Sequence, residues 1–330
     1  NRGLACRIFD FLNFESLNPP AVPSPFAKRM AGIEASGVRR MFDFAQKARR
    51  EGRLIDLSLG QPDFHAPPAA ARAARQAISA GHDRYTGTQG IPELLAKLRT
   101  ALERDRPVNG LLVTCGASGG LTLALLALVD AGDEVLVPDP FFVSYRTLVS
   151  LAGGTPVYVD TYETGWRVTP AALERRRTRR TKLLLFNNPA NPTGAAYTPA
   201  EVRAVARWAR RHGVIVLADE IYDRFCYDVP FEAFGRHHPR TVTVGGFSKT
   251  YGMPGWRLGW LTGPQDWVER MTALQQYTFV CAPAPLQHAA LAALSTDMSR
   301  WIDPYRRKPA VYRAVLQQDR ESQKRFSGHG

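Results

Sequence analysis

A lysine and an arginine stand eight positions apart, among glycines, in the stretch Ser248-Lys249-Thr250-Tyr251-Gly252-Met253-Pro254-Gly255-Trp256-Arg257-Leu258-Gly259. An amine that loses its proton can attack a carbonyl carbon, and a guanidinium fork grips a phosphate or carboxylate through two oxygens. Three stretches upstream could work with them. Thr114-Cys115-Gly116-Ala117-Ser118-Gly119-Gly120 is built of small residues, which let backbone N–H groups approach a phosphate, and Ser118 adds a hydroxyl. Asp219 closes the apolar run of VIVLADEIYD. A carboxylate there is costly unless it meets a cation or several donors. Asn187 to Gly194 offers side-chain amides on a proline-stiffened loop. Each has an ordinary explanation when taken alone: a tight connection, a helix cap, a rigid loop, a solvent-facing lysine. Together they suit a phosphorylated cofactor whose aromatic ring needs electronic control and whose aldehyde needs an amine.

The elements that must position these groups follow an alternating pattern. Short apolar runs at Leu111–Thr114, Glu134–Pro138, Pro156–Val159, Lys182–Phe186, Val214–Ala218 and Thr241–Val244 read as strands. Most are continuously apolar, as parallel strands covered on both faces should be. Helical patterns at Ala69–Ala80, Pro92–Arg104, Leu121–Val129 and Pro199–Arg211 lie between them. This predicts a doubly wound α/β fold with a mostly parallel sheet, and all four chemical stretches fall at carboxyl ends of strands, where such sheets place ligands. The first 26 residues, with Pro19, Pro20, Pro23 and Pro25, read as an extended arm; a helix over Ile33–Arg50 and the strand LIDLSL follow.

Composition narrows the classes further. The chain has 330 residues, 45% hydrophobic and 22% charged, which excludes a disordered tail, a collagen-like chain and a small disulfide scaffold. The longest apolar run, Leu121–Val129, is too short to cross a bilayer. Cys6, Cys115, Cys226 and Cys281 show no metal or redox spacing, so reduced thiols and a cytoplasmic protein are expected. A net charge of +13 attracts anions in general. Its densest stretch, Arg175 to Lys182, has no interleaved aromatic and runs into an apolar strand, so it reads as a solvated helix end.

The string SKTYGMPGWRLG, with DLSLGQPDF, YTGTQGIPEL, NNPANPTG and VLADEIYD in the same order, resembles the class I and II aminotransferases of the aspartate aminotransferase type. The likeness runs from about Ala27 to about Leu294. It implies a pyridoxal 5'-phosphate-dependent transferase-like large domain over 56–290, with its mostly parallel sheet sandwiched by helices. An N-terminal arm and the first part of a small domain would occupy 1–55, and an incomplete α+β small domain would begin at 291–330. The resemblance implies that Lys249 holds the cofactor covalently and moves the substrate's α-proton. Asp219 would pair with the protonated ring nitrogen. Tyr222 and Asn191 would meet the ring's phenolic oxygen, with Asn191 also facing substrate. Arg257, Ala117 and Ser118 would hold the phosphate, Ser248 would also bind the cofactor, and Phe142 would stack on the ring. Gly60 would offer backbone to the substrate carboxylate. Tyr85 would reach the phosphate site of a neighbouring subunit, implying a homodimer with shared active sites.

The expected partners are therefore an amino acid and a 2-oxo acid, 2-oxoglutarate first, with no nucleic acid, membrane or metal. Two departures from the family pattern stand out. Gly246 replaces the serine that often precedes the Ser–Lys pair, and the polar tail, with Arg320 and Arg325, lacks the family's carboxylate-clamping arginine motif. The tail implies a truncation or shifted frame near 301–309, and with it weaker catalysis than cofactor binding. A carbon–sulfur lyase, a catalytically impaired binding protein and a ligand-sensing regulator domain are the alternatives.

Overall fold

The computed structural model describes residues 25–30, 33, 45 and 60–308. Nearly all of the expected arm, the helix over Ile33–Arg50, the LIDLSL strand, Cys6, and the tail with Arg320 and Arg325 lie outside them.

Seven strands form one sheet: β1 (Gly110–Thr114), β2 (Glu134–Asp139), β3 (Thr155–Asp160), β4 (Thr181–Asn187), β5 (Ile215–Asp219), β6 (Thr241–Gly246) and β7 (Gly259–Gly263). Their spatial order is β1-β7-β6-β5-β4-β2-β3. Pairing is parallel from β3 through β2, β4 and β5 to β6, while β7 runs antiparallel to both β6 and β1. The six expected strands are present with ends shifted by a residue or two. The seventh, GWLTG, was not expected, because it is short, glycine-bounded and continuous with the glycine stretch before it. Packing defines it instead. A side chain at Gly245 of β6 would meet the Trp260 ring of β7 at 2.2 Å, so the indole lies flat across the space a glycine leaves.

Nine helices flank the sheet among the described residues: α1 (Pro68–Ser79), α2 (Pro92–Leu102), α3 (Gly116–Leu128), α4 (Ser144–Leu151), α5 (Pro170–Arg176), α6 (Pro199–His212), α7 (Gln265–Thr278), α8 (Ala284–Ala293) and α9 (Ser299–Ile302). Proline in the first turn starts α1, α2, α5 and α6, where its missing N–H costs nothing. A reciprocal Thr198–Glu201 cap adds to the start of α6, and Gly213 ends it in a left-handed turn. Alternate residues of β4 serve opposite layers. Leu183 and Leu185 pack with α3, α4 and α7, whereas Leu184 and Phe186 pack with α6. A third cluster joins α1, α2 and α8 to β1 and Trp260.

One expectation needs correction. The CGASGG stretch is not a loop leading to a helix at Leu121; α3 begins at Gly116 itself. Glycine's low helix propensity argued for a loop, but tertiary packing decides, since a side chain at Gly120 would sit 3.1 Å from Val244 of β6. The basic stretch is a helix end as expected, with Arg177 on Glu174, Arg180 on Glu134 and Lys182 on Asp133 at 2.6–2.9 Å. Cys115, Cys226 and Cys281 are free thiols. Among the described residues no helix is long and apolar enough to cross a membrane.

Candidate active site

The carboxyl ends of β2, β4, β5 and β6 open into a cavity of about 480 Å³. Gly60, Ala117, Ser118, Phe142, Asn191, Asp219, Tyr222, Ser248, Lys249 and Arg257, scattered over about three fifths of the sequence, all line it. Tyr85 does not; its side chain is 82% exposed, outside this chain's own cavity.

At one end the first turn of α3 presents the backbone of Ala117 and Ser118, whose N–H groups have no intrahelical acceptor. Arg257 faces this turn from a left-handed backbone (φ 55°), one guanidinium nitrogen donating to the Pro254 carbonyl at 3.0 Å. The close approach requires glycine. At Gly116 (φ +74°) a Cβ would lie 2.5 Å from the Arg257 Nη2, and at Gly259 it would lie 2.4 Å from the Gly116 carbonyl carbon. Backbone donors, a hydroxyl and a guanidinium thus converge on a concave surface that any side chain would fill, which is the donor set of a phosphate site.

At the other end Asp219 is buried at the tip of β5. Its Oδ2 accepts from the Tyr145 hydroxyl at 2.7 Å and its Oδ1 from the Ile221 N–H at 3.2 Å. Burial raises its pKa, opposed by the Tyr145 and Ile221 bonds and by Lys249. Tyr145 was missed by the sequence reading, although it lies in VPDPFFVSY three residues beyond Phe142. That spacing at the start of α4 brings both rings to the cavity, in an edge contact at 5.6 Å. Asn187 opens the amide-bearing loop that the sequence marks out, where no individual role is legible for it. Its Nδ2 donates to the Asp219 carbonyl at 2.8 Å and its Oδ1 accepts from the Asn191 N–H at 2.7 Å. It therefore fixes the Asn191 loop to the end of β5.

Lys249 stands between the two ends. Its ammonium donates to the Gly60 carbonyl and lies 5.6 Å from the centre of the Tyr222 ring. Burial lowers the Lys249 pKa, Asp219 pulls it back up, and Arg257 lowers it. Tyr222 is pushed up to about 12 by burial and the Asp219 charge, so its phenol stays protonated at neutral pH.

An open α/β sheet carrying a lysine, a buried carboxylate and a phosphate cradle on its carboxyl edge defines a transferase of the pyridoxal-phosphate type. The comparisons with known proteins agree. The model of the family "aminotransferase class I and II" matches residues 53–319. A putative aminotransferase of Bacillus subtilis is 40% identical over 292 residues, 85% of this chain and 75% of that protein. An aspartate/prephenate aminotransferase of Cereibacter sphaeroides is 39% identical over 281 residues, 81% of this chain and 70% of that one. The solved aspartate aminotransferase of Thermus thermophilus with maleate superimposes with a TM-score of 0.85 at 33% identity, over 89% of this chain and 80% of its own. The chain belongs to the class I and II aminotransferases, and it is a pyridoxal 5'-phosphate-dependent enzyme. The cavity fits that cofactor: the glycine-lined cradle suits its phosphate, and Asp219 offers a buried carboxylate whose protein partners are neutral donors.

Proposed function

We propose that the chain moves the amino group of an L-amino acid to a 2-oxo acid, 2-oxoglutarate being the general acceptor, in two half-reactions. The observation that carries this reading is the placement of the Lys249 amine and the Asp219 carboxylate in one cavity, with the Gly116–Arg257 cradle at its far end. When bound, pyridoxal phosphate supplies an electrophilic aldehyde and a ring that accepts the electron pair left when the α-proton departs.

The chain's own groups divide the work. Lys249, with its pKa lowered by burial, reaches the neutral amine more easily than a solvated lysine. It anchors the cofactor covalently and, once released, takes and returns the α-proton. Asp219 would offer its carboxylate to a protonated ring nitrogen, with the Tyr145 hydroxyl and the Ile221 N–H donating to its oxygens. Tyr222 and Asn191 serve the phenolic oxygen and Phe142 covers a ring face. Ala117, Ser118, Ser248 and Arg257 hold the phosphate, and Gly60 meets the substrate carboxylate. Tyr85 is exposed and does not line its own cavity, in keeping with service to a second copy's phosphate site.

The similar proteins named for aspartate make it the first donor to test. Rapid mixing of the cofactor-loaded protein with aspartate should yield one equivalent of oxaloacetate without 2-oxoglutarate, and continuous turnover with it. Release of ammonia or of a thiol from sulfur-bearing substrates in place of 2-oxo acid exchange would replace the transfer reading with the lyase one.

A further inference from the structure

The stretch 60–63 borders the active cavity. Gly60 and Gln61 line it, and the Gly60 carbonyl accepts from the Lys249 ammonium. Gly60, Gln61 and Asp63 are exposed, and Pro62 is half-buried and has no N–H to contribute. Core packing therefore does little to fix this stretch, and polar ties must do it. Beyond Asp63 the chain is seated closely: a side chain at Gly252, in the turn after Lys249, would meet the Phe64 carbonyl oxygen at 2.7 Å.

The tie on Asp63 comes from 242 residues further along the chain. The Tyr305 hydroxyl accepts from the Asp63 N–H at 2.9 Å and donates to Asp63 Oδ1 at 2.5 Å. A hydroxyl that engages both the backbone and the side chain of one residue fixes its main chain as well as its rotamer. Lys308 completes the clamp, its ammonium pairing with the Asp63 carboxylate and lying 3.5 Å from the centre of the Tyr305 ring. The Lys308 and Tyr305 bonds hold the Asp63 carboxyl below its usual range, so it is a charged acceptor at neutral pH. Tyr305 is itself well held. Its ring makes edge contacts with Phe64 and Phe225 at 6.0 and 5.7 Å, and the Tyr227 hydroxyl donates to the Ile302 carbonyl at 3.0 Å.

The Lys249 and Tyr305 ties act at opposite ends of the stretch, and the proposed chemistry releases the first. Once Lys249 is committed to the cofactor, its amine no longer holds the Gly60 carbonyl. A glycine freed of its partner ranges widely over backbone angles, and a substrate that meets it must then bear the cost of ordering it. The clamp on Asp63 limits that range from two residues of backbone beyond Gln61. We propose, on the reading that Gly60 meets the substrate carboxylate, that Tyr305 is a positioning residue: its hydroxyl holds the 60–63 stretch so that Gly60 presents its backbone to that carboxylate. Tyr305 touches neither cofactor nor substrate and acts through Asp63.

The test compares the full chain, loaded with pyridoxal phosphate, with its Tyr305→Phe variant, which keeps the ring and loses the hydroxyl. Amide hydrogen exchange over 60–64, measured without substrate, should quicken about tenfold in the variant, the value of one hydrogen bond to a charged acceptor. Calorimetric titration with maleate, a dicarboxylate with no amine to transfer, should show affinity lower by a similar factor. The half-saturating concentration of aspartate should rise likewise, while the limiting rate and the affinity for pyridoxal phosphate stay within twofold. Asp63→Ala, a change at an exposed side chain, should reproduce these effects, and the double variant should add nothing to it. Unchanged exchange over 60–64, or additive effects of the two substitutions, would overturn the clamp. So would a loss of cofactor affinity or limiting rate as large as the loss for maleate, which would mark a general loosening of the fold. Faster exchange with unchanged maleate affinity would overturn the reading of Gly60 instead, and with it the positioning role. Asp63→Ala carries the same comparison if Tyr305→Phe fails to fold.

Discussion

Asp219 and Glu220 are neighbours in the chain, both buried, and they turn to different sides of the sheet. Asp219 enters the active cavity and meets only neutral donors, the Tyr145 hydroxyl and the Ile221 N–H. Glu220 turns away and meets Arg106 at 2.6 Å and the Phe234 N–H at 2.8 Å. That guanidinium is itself held between the Phe231 and Trp260 rings, 5.6 and 5.2 Å from their centres. Burial pushes both carboxyls above the usual range, Glu220 to about 7. The difference lies in the counter-charge. Glu220 receives it from the fold and is spent on structure, tying the 220–223 turn to the segment before β1. Asp219 has no arginine, so in the proposed reading its counter-charge would be a cation that arrives with the cofactor.

Breaking that contrast on the active side should have the largest effect. Asp219→Ala should still bind pyridoxal phosphate through the cradle while its amine-transfer half-reaction slows about a hundred- to a thousandfold, the scale of losing one preorganised electrostatic partner. Equal half-reaction rates would remove Asp219 from the ring.

On the structural side, Arg106→Met should cost about 3–5 kcal/mol in urea unfolding at pH 8, because Glu220 is left buried and unpaired. A carboxyl whose folded pKa exceeds its unfolded one contributes stability below the unfolded value, and that contribution is lost as pH rises through the folded value. Arg106 is the strongest influence holding the Glu220 pKa down. Without it the folded pKa climbs further, so the penalty should shrink between pH 8 and pH 5. A penalty equal at both values would show that Glu220 does not depend on Arg106 for its charge.

Smaller changes sharpen the picture. Gly116→Ala forces a strained backbone and moves the Arg257 guanidinium, so pyridoxal phosphate affinity should fall about tenfold, readable by equilibrium dialysis. Tyr145→Phe removes one of two donors to Asp219 and should slow the half-reaction less than tenfold, at about 1 kcal/mol for a single hydrogen bond. If Tyr145→Phe matched Asp219→Ala, the tyrosine rather than the carboxylate would dominate the ring end.

Much of the site was legible because its chemistry sits in local strings. Lys249 and Arg257 share one glycine-rich stretch, and Asp219 ends an apolar strand, so residue type and strand end together mark them. The parallel strands were legible for a similar reason, each being a short apolar run between helical patterns. Three features escaped because they are properties of packing rather than of any window. β7 is defined by its neighbours and by the Trp260–Gly245 fit. The start of α3 at Gly116 contradicts local propensity and is set by close approach to β6 and Arg257. Tyr145 and Arg106 gain their roles from contacts across 74 and 114 residues of sequence, which no spacing rule connects.

The proposed chemistry depends above all on Lys249 as the point of covalent attachment. The direct measurement is borohydride reduction of the pyridoxal phosphate-loaded protein, followed by proteolysis and mass mapping of the pyridoxyl group. One modified peptide is expected, carrying the group on Lys249. Modification at Lys182 or Lys308 with Lys249 untouched would contradict it.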